Sequence, residues 1–209
     1  MEYVSETRQN PFALRPPCEQ YVPGYGDVDA DVHVIGDHPG VHGGLGTGVP
    51  FTGMPWSPRF FETLRTGGLA AETTTGVPTF LSYLHLCVPE TPVPSAAAYD
   101  RLEPFFDAEL RAITAHILVP VGDRPVRHVL RTYTSMSASR LADGDATALH
   151  ASPQRGAGWL ILPVRDPSEW TKDDETTLVE TLQSLLAQDY RQESDLGRFL
   201  PDEHPYFVR

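Results

Sequence analysis

Val32–Gly53, VHVIGDHPGVHGGLGTGVPFTG, decides how this chain is read. It opens as a short apolar run, Val32 to Ile35, interrupted only by His33, and then breaks into a glycine-rich loop. A strand that runs straight into glycine lets backbone approach a ligand closely. Gly36, Asp37 and His38 fall at the carboxyl end of that strand, where open α/β sheets bind ligands. The loop matches neither GxGxxG nor GxxxxGK[ST], so it does not read as a dinucleotide or nucleoside-triphosphate cradle.

Outward from this stretch, strand and helix patterns alternate. Ser57-Pro58 reads as an N-cap and first helical position, and Gly67-Gly68 as the stop. Phe80 to Cys87 reads as a second strand. Ser95 caps an amphipathic segment, Ala96 to Thr114, with Leu102, Phe105, Phe106, Leu110 and Ile113 at helical spacing. His116 to Val121 suits a buried parallel strand, and Arg124 to Leu130 a short helix. Thr132 to Asp145 reads as a polar loop. Thr147 to His150 is expected as a short strand, Trp159 to Val164 as another, and Thr171 to Gln188 as the last helix. The alternation predicts an α/β fold: a three-layer α/β/α sandwich around a central, mainly parallel sheet of about four strands. Residues 1–31 read as an ordered coil, with Asp27, Asp29 and Asp31 in a solvated turn. Residues 189–209 read as a tail.

The length suits a single domain. The net charge is −12, and Lys172 is the only lysine beside fifteen arginines, a pattern resembling that of halophile proteins. An acidic chain ordinarily argues against nucleic-acid binding, but at 1 M salt the Debye length is about 3 Å, so charge does not decide the matter. Cys18 and Cys87 are the only cysteines. They make no disulfide framework by count and read as small buried residues. Without a signal peptide or a spanning apolar helix, the chain reads as soluble and cytoplasmic, with no membrane association.

Asp37 and His150 both follow short predicted strands, which a parallel sheet would bring to one edge. Each has an ordinary reading, as a solvated loop residue and as a core histidine. Together, a carboxylate and a histidine can share general-base and electrostatic work. HExxH, GxSxG and clustered Cys/His ligands are missing from the sequence, so no metal is expected.

These motifs resemble the uracil-DNA glycosylase superfamily. Gly36-Asp37-His38-Pro39-Gly40 followed by Thr47-Gly48-Val49-Pro50-Phe51-Thr52-Gly53 is similar to its first motif. Val41-His42-Gly43 is similar to the alanine-histidine-glycine run of one branch. His150-Ala151-Ser152-Pro153 resembles the second motif, with Ala151 at a proline position. Leu86-Cys87-Val88-Pro89 resembles a cysteine- and proline-containing segment of the iron–sulfur branches.

The resemblance implies one glycosylase-like domain over residues 1–209. Its activity would be hydrolysis of the N-glycosidic bond of uracil or a related deaminated base in DNA, with the target nucleotide flipped into a pocket. Asp37 would activate water and stabilise the cationic sugar, and His150 would hydrogen-bond the departing base. Gly36, His38, Pro39 and Gly40 would line the pocket, and Phe51 would stack on the base. Ser152, Pro153, Gln154 and Arg155 would press into the minor groove. The position at which the family reads uracil with asparagine falls on Tyr83, beside Ser82. Tyr83 is either a base-contacting residue or a core aromatic, with Ser82 or His85 reaching the base instead. Four cysteines cannot be found, so no cluster and no cofactor is expected. The protein is expected to act as a monomer on damaged DNA. The alternatives are a non-catalytic member that binds a base, nucleotide or DNA, and a hydrolase of free nucleosides.

Overall fold

The structure is a computed structural model that describes residues 8–71, 75–135 and 146–191. Most of the predicted loop Thr132–Asp145 (136–145) and most of the predicted tail (192–209) lie outside the described residues. The chain divides into two compact units, Met1–Ala115 and His116–Arg209.

The first unit runs β1 (Arg8–Gln9), β2 (Tyr25–Gly26), β3 (Val32–Gly36), α1 (Pro39–His42), α2 (Ser57–Thr66), β4 (Leu69–Ala70), β5 (Val77–Tyr83) and α3 (Ala96–Ile113). All five residues of β3 are buried, which is why its pattern is a nearly unbroken apolar run rather than an alternation. β3 and β4 pair with β5 in parallel, whereas β2 joins β5, and β1 joins β2, antiparallel. The register sets Gly36 opposite Tyr83, so the glycine loop and the end of β5 start side by side.

The period of two in β5 sorts its residues onto two faces. Phe80 and Ser82 face α3: His33 lies edge-on to Phe80 with ring centroids 5.4 Å apart and 6.1 Å from Phe106 of α3. Tyr83 faces the other way, toward Phe51, whose ring stacks on Phe60 of α2. Within this unit the strands therefore lie between helices, as the three-layer reading expects.

Helix α3 follows the sequence closely. Ser95 accepts a hydrogen bond from the Ala98 amide, and Leu102, Phe106, Leu110 and Ile113 are buried. Pro104 sits at the tenth position of the cap-to-helix stretch without ending the helix.

Several boundaries differ from expectation. Ser57 is the first residue of α2 rather than its cap. Its hydroxyl donates to the Phe51 carbonyl and accepts from the Met54 amide, so it ties the helix to the loop before it. β5 begins at Val77 and ends at Tyr83, because the residues after Tyr83 turn to bond the loop: the Leu84 and His85 amides donate to the carbonyls of Gly36 and Asp37. The N-terminal coil contributes the two short strands β1 and β2. Asp27 and Asp31 are buried rather than solvated, and the Asp27 carboxylate accepts from the Asp29 amide in a local turn.

The cysteines were read as separate buried thiols. The structure joins Cys18 to Cys87 in a disulfide. Sequence separation alone could not show this, since proximity comes from the strand-like pairing of Tyr21 with Cys87 and the Val22–Leu86 and Val88–Gln20 backbone bonds. A loop of 69 residues closed this way restricts the unfolded chain, worth about 4 kcal/mol on the chain-entropy model.

The second unit contains β6 (Ile117–Pro120), α4 (Asp123–Tyr133), a 3-10 turn (Ala146–Leu149), β7 (Gln154–Arg155), β8 (Leu160–Ile161) and α5 (Lys172–Leu186). β8 pairs with β6 in parallel and with β7 antiparallel. Thr171 and Asp174 form a reciprocal capping box at the start of α5, and Leu178, Leu182 and Leu185 are its buried face. The expected strand at Thr147–His150 is instead the 3-10 turn followed by a tight reversal, in which the Ser152 amide donates to the Leu149 carbonyl. The chain is a mixed α/β fold built on a central, mostly parallel set of strands and the helices between them.

Candidate active site

The carboxyl end of β3 is a tight corner. A Cβ on Gly36 would come within 2.7 Å of the Tyr83 ring and 2.8 Å of His42 Nδ1, so only glycine fits between them. Asp37 follows, half-buried, and its main-chain amide donates to His42 Nδ1 at 2.9 Å. His38 caps the single-turn helix α1, its Nδ1 accepting from the Gly40 amide at 3.1 Å, while Pro39 occupies the first helical position. The Asp37 carboxylate accepts a hydrogen bond from the hydroxyl of Tyr99, on the first turn of α3.

His85 completes the corner. Its ring lies 5.2 Å from that of Tyr99 and 6.3 Å from that of His38. Nδ1 is 2.9 Å from the Cys87 carbonyl. Because a carbonyl can only accept, Nδ1 carries the proton and the lone pair of the neutral ring is on Nε2. Burial lowers its pKa, and the Cys87 hydrogen bond and the negative charge of Asp37 oppose that shift. The corner thus gathers a carboxylate, a phenol and two imidazoles on backbone that is hydrogen-bonded throughout. Such a group can accept a proton from water and stabilise positive charge beside it.

Sequence reasoning found Gly36, Asp37, His38, Pro39 and Gly40 here, and these are together. It named His85 only as an alternative to Tyr83 for reaching the base, and it did not assign Tyr99 to the site. Tyr99 has no motif around it. Nothing in a sequence signals that the first turn of a helix reaches a residue 62 positions earlier.

Phe51 is placed differently from the expectation. Its ring is fully buried, stacked on His42 at 5.3 Å and on Phe60 at 4.9 Å. Its two faces are occupied by protein, so it offers no open face to a base in this arrangement. Its backbone has φ 66, unusual for a residue with a Cβ. The conformation is held from both sides: the Phe51 amide donates to Tyr83 Oη at 2.8 Å, and its carbonyl accepts from Ser57.

Tyr83 is the anchor of this loop. It is 1% exposed, and its hydroxyl donates to the His42 carbonyl at 2.9 Å, with Gly43 O at 3.2 Å. Burial pushes its pKa above the ordinary phenol range. Of the two readings left open, the core aromatic is the one the structure adopts. Ser82 points to the opposite face, where its hydroxyl is 2.7 Å from His33 Nε2 and bonds Glu109 of α3. Ser82 is thus turned away from the corner, and Tyr83 meets it only through its ring against Gly36.

In the second unit, His150 lies in the reversal after the 3-10 turn. Nδ1 accepts from the Arg165 amide at 3.0 Å, and Nε2 donates to the Asp174 carbonyl at 3.0 Å. Both ring nitrogens are committed to main chain, which makes His150 a clamp between the Arg165 segment and the first turn of α5. Hydrogen bonding to a departing base would require one of these to break. Ala151 has φ 53 and its amide donates to the Pro163 carbonyl. Proline, with φ fixed near −65° and no amide proton, cannot take this position, which accounts for alanine here. Ser152, Pro153 and Arg155 are exposed and Gln154 half-buried, its side chain donating to the Ser152 carbonyl. Pro153, Gln154 and Arg155 border an open groove of about 530 Å³ against Glu180, Ser184 and Gln188 of α5 and its end.

The iron–sulfur arrangement does not fit these residues. Cys18 and Cys87 are bonded to each other, so neither is available as a thiolate, and four ligands cannot be drawn from two cysteines.

Comparison with known proteins agrees with the family resemblance. The chain is 27% identical over 173 residues to a type-5 uracil-DNA glycosylase of Pyrobaculum aerophilum, covering 79% of this chain and 73% of that protein. It is 25% identical over 162 residues to a type-5 uracil-DNA glycosylase of Mycobacterium leprae, covering 72% and 71%. The family model of the uracil DNA glycosylase superfamily matches residues 23–186, which takes in the β3 corner, the Tyr99 helix and the His150 turn, and the chain belongs to that superfamily.

Proposed function

We propose that the protein is a monofunctional DNA glycosylase that hydrolyses the N-glycosidic bond of uracil or a related deaminated base in DNA, as the first step of base excision repair. The observation that carries this reading is the Asp37 carboxylate at the end of β3, hydrogen-bonded and backed by His85 and Tyr99, inside the span matched by the superfamily. In this reading residues 1–209 act as one functional domain, working as a monomer in the cytoplasm of a salt-adapted cell.

The chemistry follows from the groups present. As the bond from C1′ to the base nitrogen breaks, its electron pair leaves with the base and positive charge grows on the sugar. Asp37 faces that charge and takes the proton of the attacking water. His38, Pro39 and Gly40 line the sugar and base through main chain and ring edges. Ser152, Pro153, Gln154 and Arg155 form the exposed segment that enters the minor groove. His150 contributes to the departing base only if it exchanges its Asp174 bond for one to the base.

The test is incubation of the protein with a uracil-containing oligonucleotide at high salt, followed by alkaline cleavage of abasic sites. Strand breaks at the uracil position are expected. No cleavage for uracil, hypoxanthine or xanthine, in single or double strands, overturns the proposal. A second reading, a non-catalytic member that binds a base or DNA, is favoured by the closed Phe51–Tyr83 packing. Saturable binding of abasic-analogue DNA without turnover would select it.

A further inference from the structure

Tyr99 belongs to none of the sequence motifs, yet it makes a direct side-chain contact to the Asp37 carboxylate. Its placement is a matter of helix register. Ser95 fixes the start of α3, Ala96, Ala97 and Ala98 are too short to reach the corner, and Tyr99 is the first long side chain. Further along, Leu102, Phe106, Leu110 and Ile113 bury the same helix in the core, so its first turn is held on a rigid element. The ring of Tyr99 also packs at 5.2 Å on His85, itself tied to the Cys87 carbonyl. The phenol is held by the helix behind it and by the histidine beside it.

We propose that Tyr99 is a positioning residue for Asp37, fixing the rotation of the carboxylate during glycosidic bond hydrolysis. The inference deepens the glycosylase reading and rests on it. The bond between C1′ and the base nitrogen breaks with its electron pair going to the base. The water oxygen bonds C1′, and its proton passes to Asp37 and then to solvent. Tyr99 exchanges no proton in this sequence. Its hydroxyl donates to one carboxylate oxygen, a charge-assisted hydrogen bond that holds that oxygen in place. A carboxylate that must face a transient cation gains from being oriented before the charge appears.

The experiment uses the full-length protein and single-turnover cleavage of a uracil oligonucleotide by four forms: wild type, Tyr99→Phe, Asp37→Asn and the double variant. Loss of a hydrogen bond to a charged group predicts a fall of about 10- to 100-fold in kcat for Tyr99→Phe, with KM changed less than about twofold. In the Asp37→Asn background the same change is expected to have no further effect, since the group it positions is gone. An equal fall in both backgrounds, or no fall beside wild-type Asp37, overturns the proposal. A readout independent of turnover is the carboxyl carbon resonance of Asp37 by NMR. Tyr99→Phe is expected to change its chemical shift, and an unchanged resonance overturns the proposal. If wild type cleaves no substrate, the glycosylase reading fails by itself, and the carboxyl resonance decides whether Tyr99 positions Asp37.

Discussion

Asp37 and His150 were expected to be two halves of one catalytic pair, and the structure gives them different characters. Asp37 meets a phenol donor with two imidazoles near it, while its backbone is held by His42 and His85. His150 has both ring nitrogens bonded to main chain, at the Arg165 amide and the Asp174 carbonyl. The first is a side chain positioned by other side chains, the usual condition of a reacting group. The second positions backbone. A histidine in a motif therefore need not be a proton carrier: its partners, rather than its type, say whether it is poised or structural.

The largest test of this contrast is Asp37→Asn, which preserves shape and removes the charge. A fall of about 10²- to 10⁴-fold in single-turnover rate is expected, with an unchanged thermal midpoint. A variant that cleaves as fast as wild type removes Asp37 from the chemistry.

Phe51→Ala separates a stacking platform from a core residue on the Asp37 side. Because the ring is buried between His42 and Phe60, the expected loss is about 3–5 kcal/mol of stability in urea unfolding. If stability holds and only substrate KM rises, the ring faces ligand after all.

His150→Ala is expected to lose about 1–3 kcal/mol of stability, since the Arg165 amide and Asp174 carbonyl would both lose a partner. The rate, measured at a temperature where the variant is folded, is expected to fall much less than for Asp37→Asn. A fall as deep as that of Asp37→Asn, with stability intact, would restore His150 as a catalytic residue and break the contrast.

The last test concerns two buried polar residues, His33 of β3 and Glu109 of α3. Burial lowers the His33 pKa to about 3 from 6.5, and raises that of Glu109 to about 8 from 4.5. Below 6.5 the unfolded chain binds the His33 proton that the folded chain refuses, so stability falls as pH drops from 6.5 toward 3. For Glu109 the folded chain keeps a proton that the unfolded chain releases above 4.5, so stability falls as pH rises from 4.5 to about 8. The two effects offset between 4.5 and 6.5, and stability should be broadly flat there. Glu109→Gln is expected to abolish the alkaline decline, measured by unfolding at a series of pH values. A decline that survives in the variant assigns it to another group.

Much of the first unit was legible because its signals are local. The β3 run, the glycine corner, the Ser95 cap and the spacing of Leu102, Phe106, Leu110 and Ile113 all report on neighbours within a few residues. The strand expected at Thr147–His150 failed for the same reason. Four residues carry too little period to separate a strand from a 3-10 turn, and a backbone bond from Ser152 to Leu149 decided it. Tyr83 shows the same limit within a correctly read strand. Its place on β5 was legible, but whether its hydroxyl meets a ligand or the His42 carbonyl depends on where a distant loop returns.

By itself, then, the sequence determined the alternation of strands and helices, the position of Asp37 at a strand end, and the motif order that places the chain in its superfamily. These depend on side-chain period, backbone freedom and residue type, all carried along the chain. Only the tertiary structure decided that Tyr99 holds Asp37, that Phe51 and Tyr83 close on each other, that His150 clamps main chain, and that Cys18 joins Cys87. Each of those is a contact between segments far apart in sequence, and such contacts are set by how the elements pack rather than by any local preference.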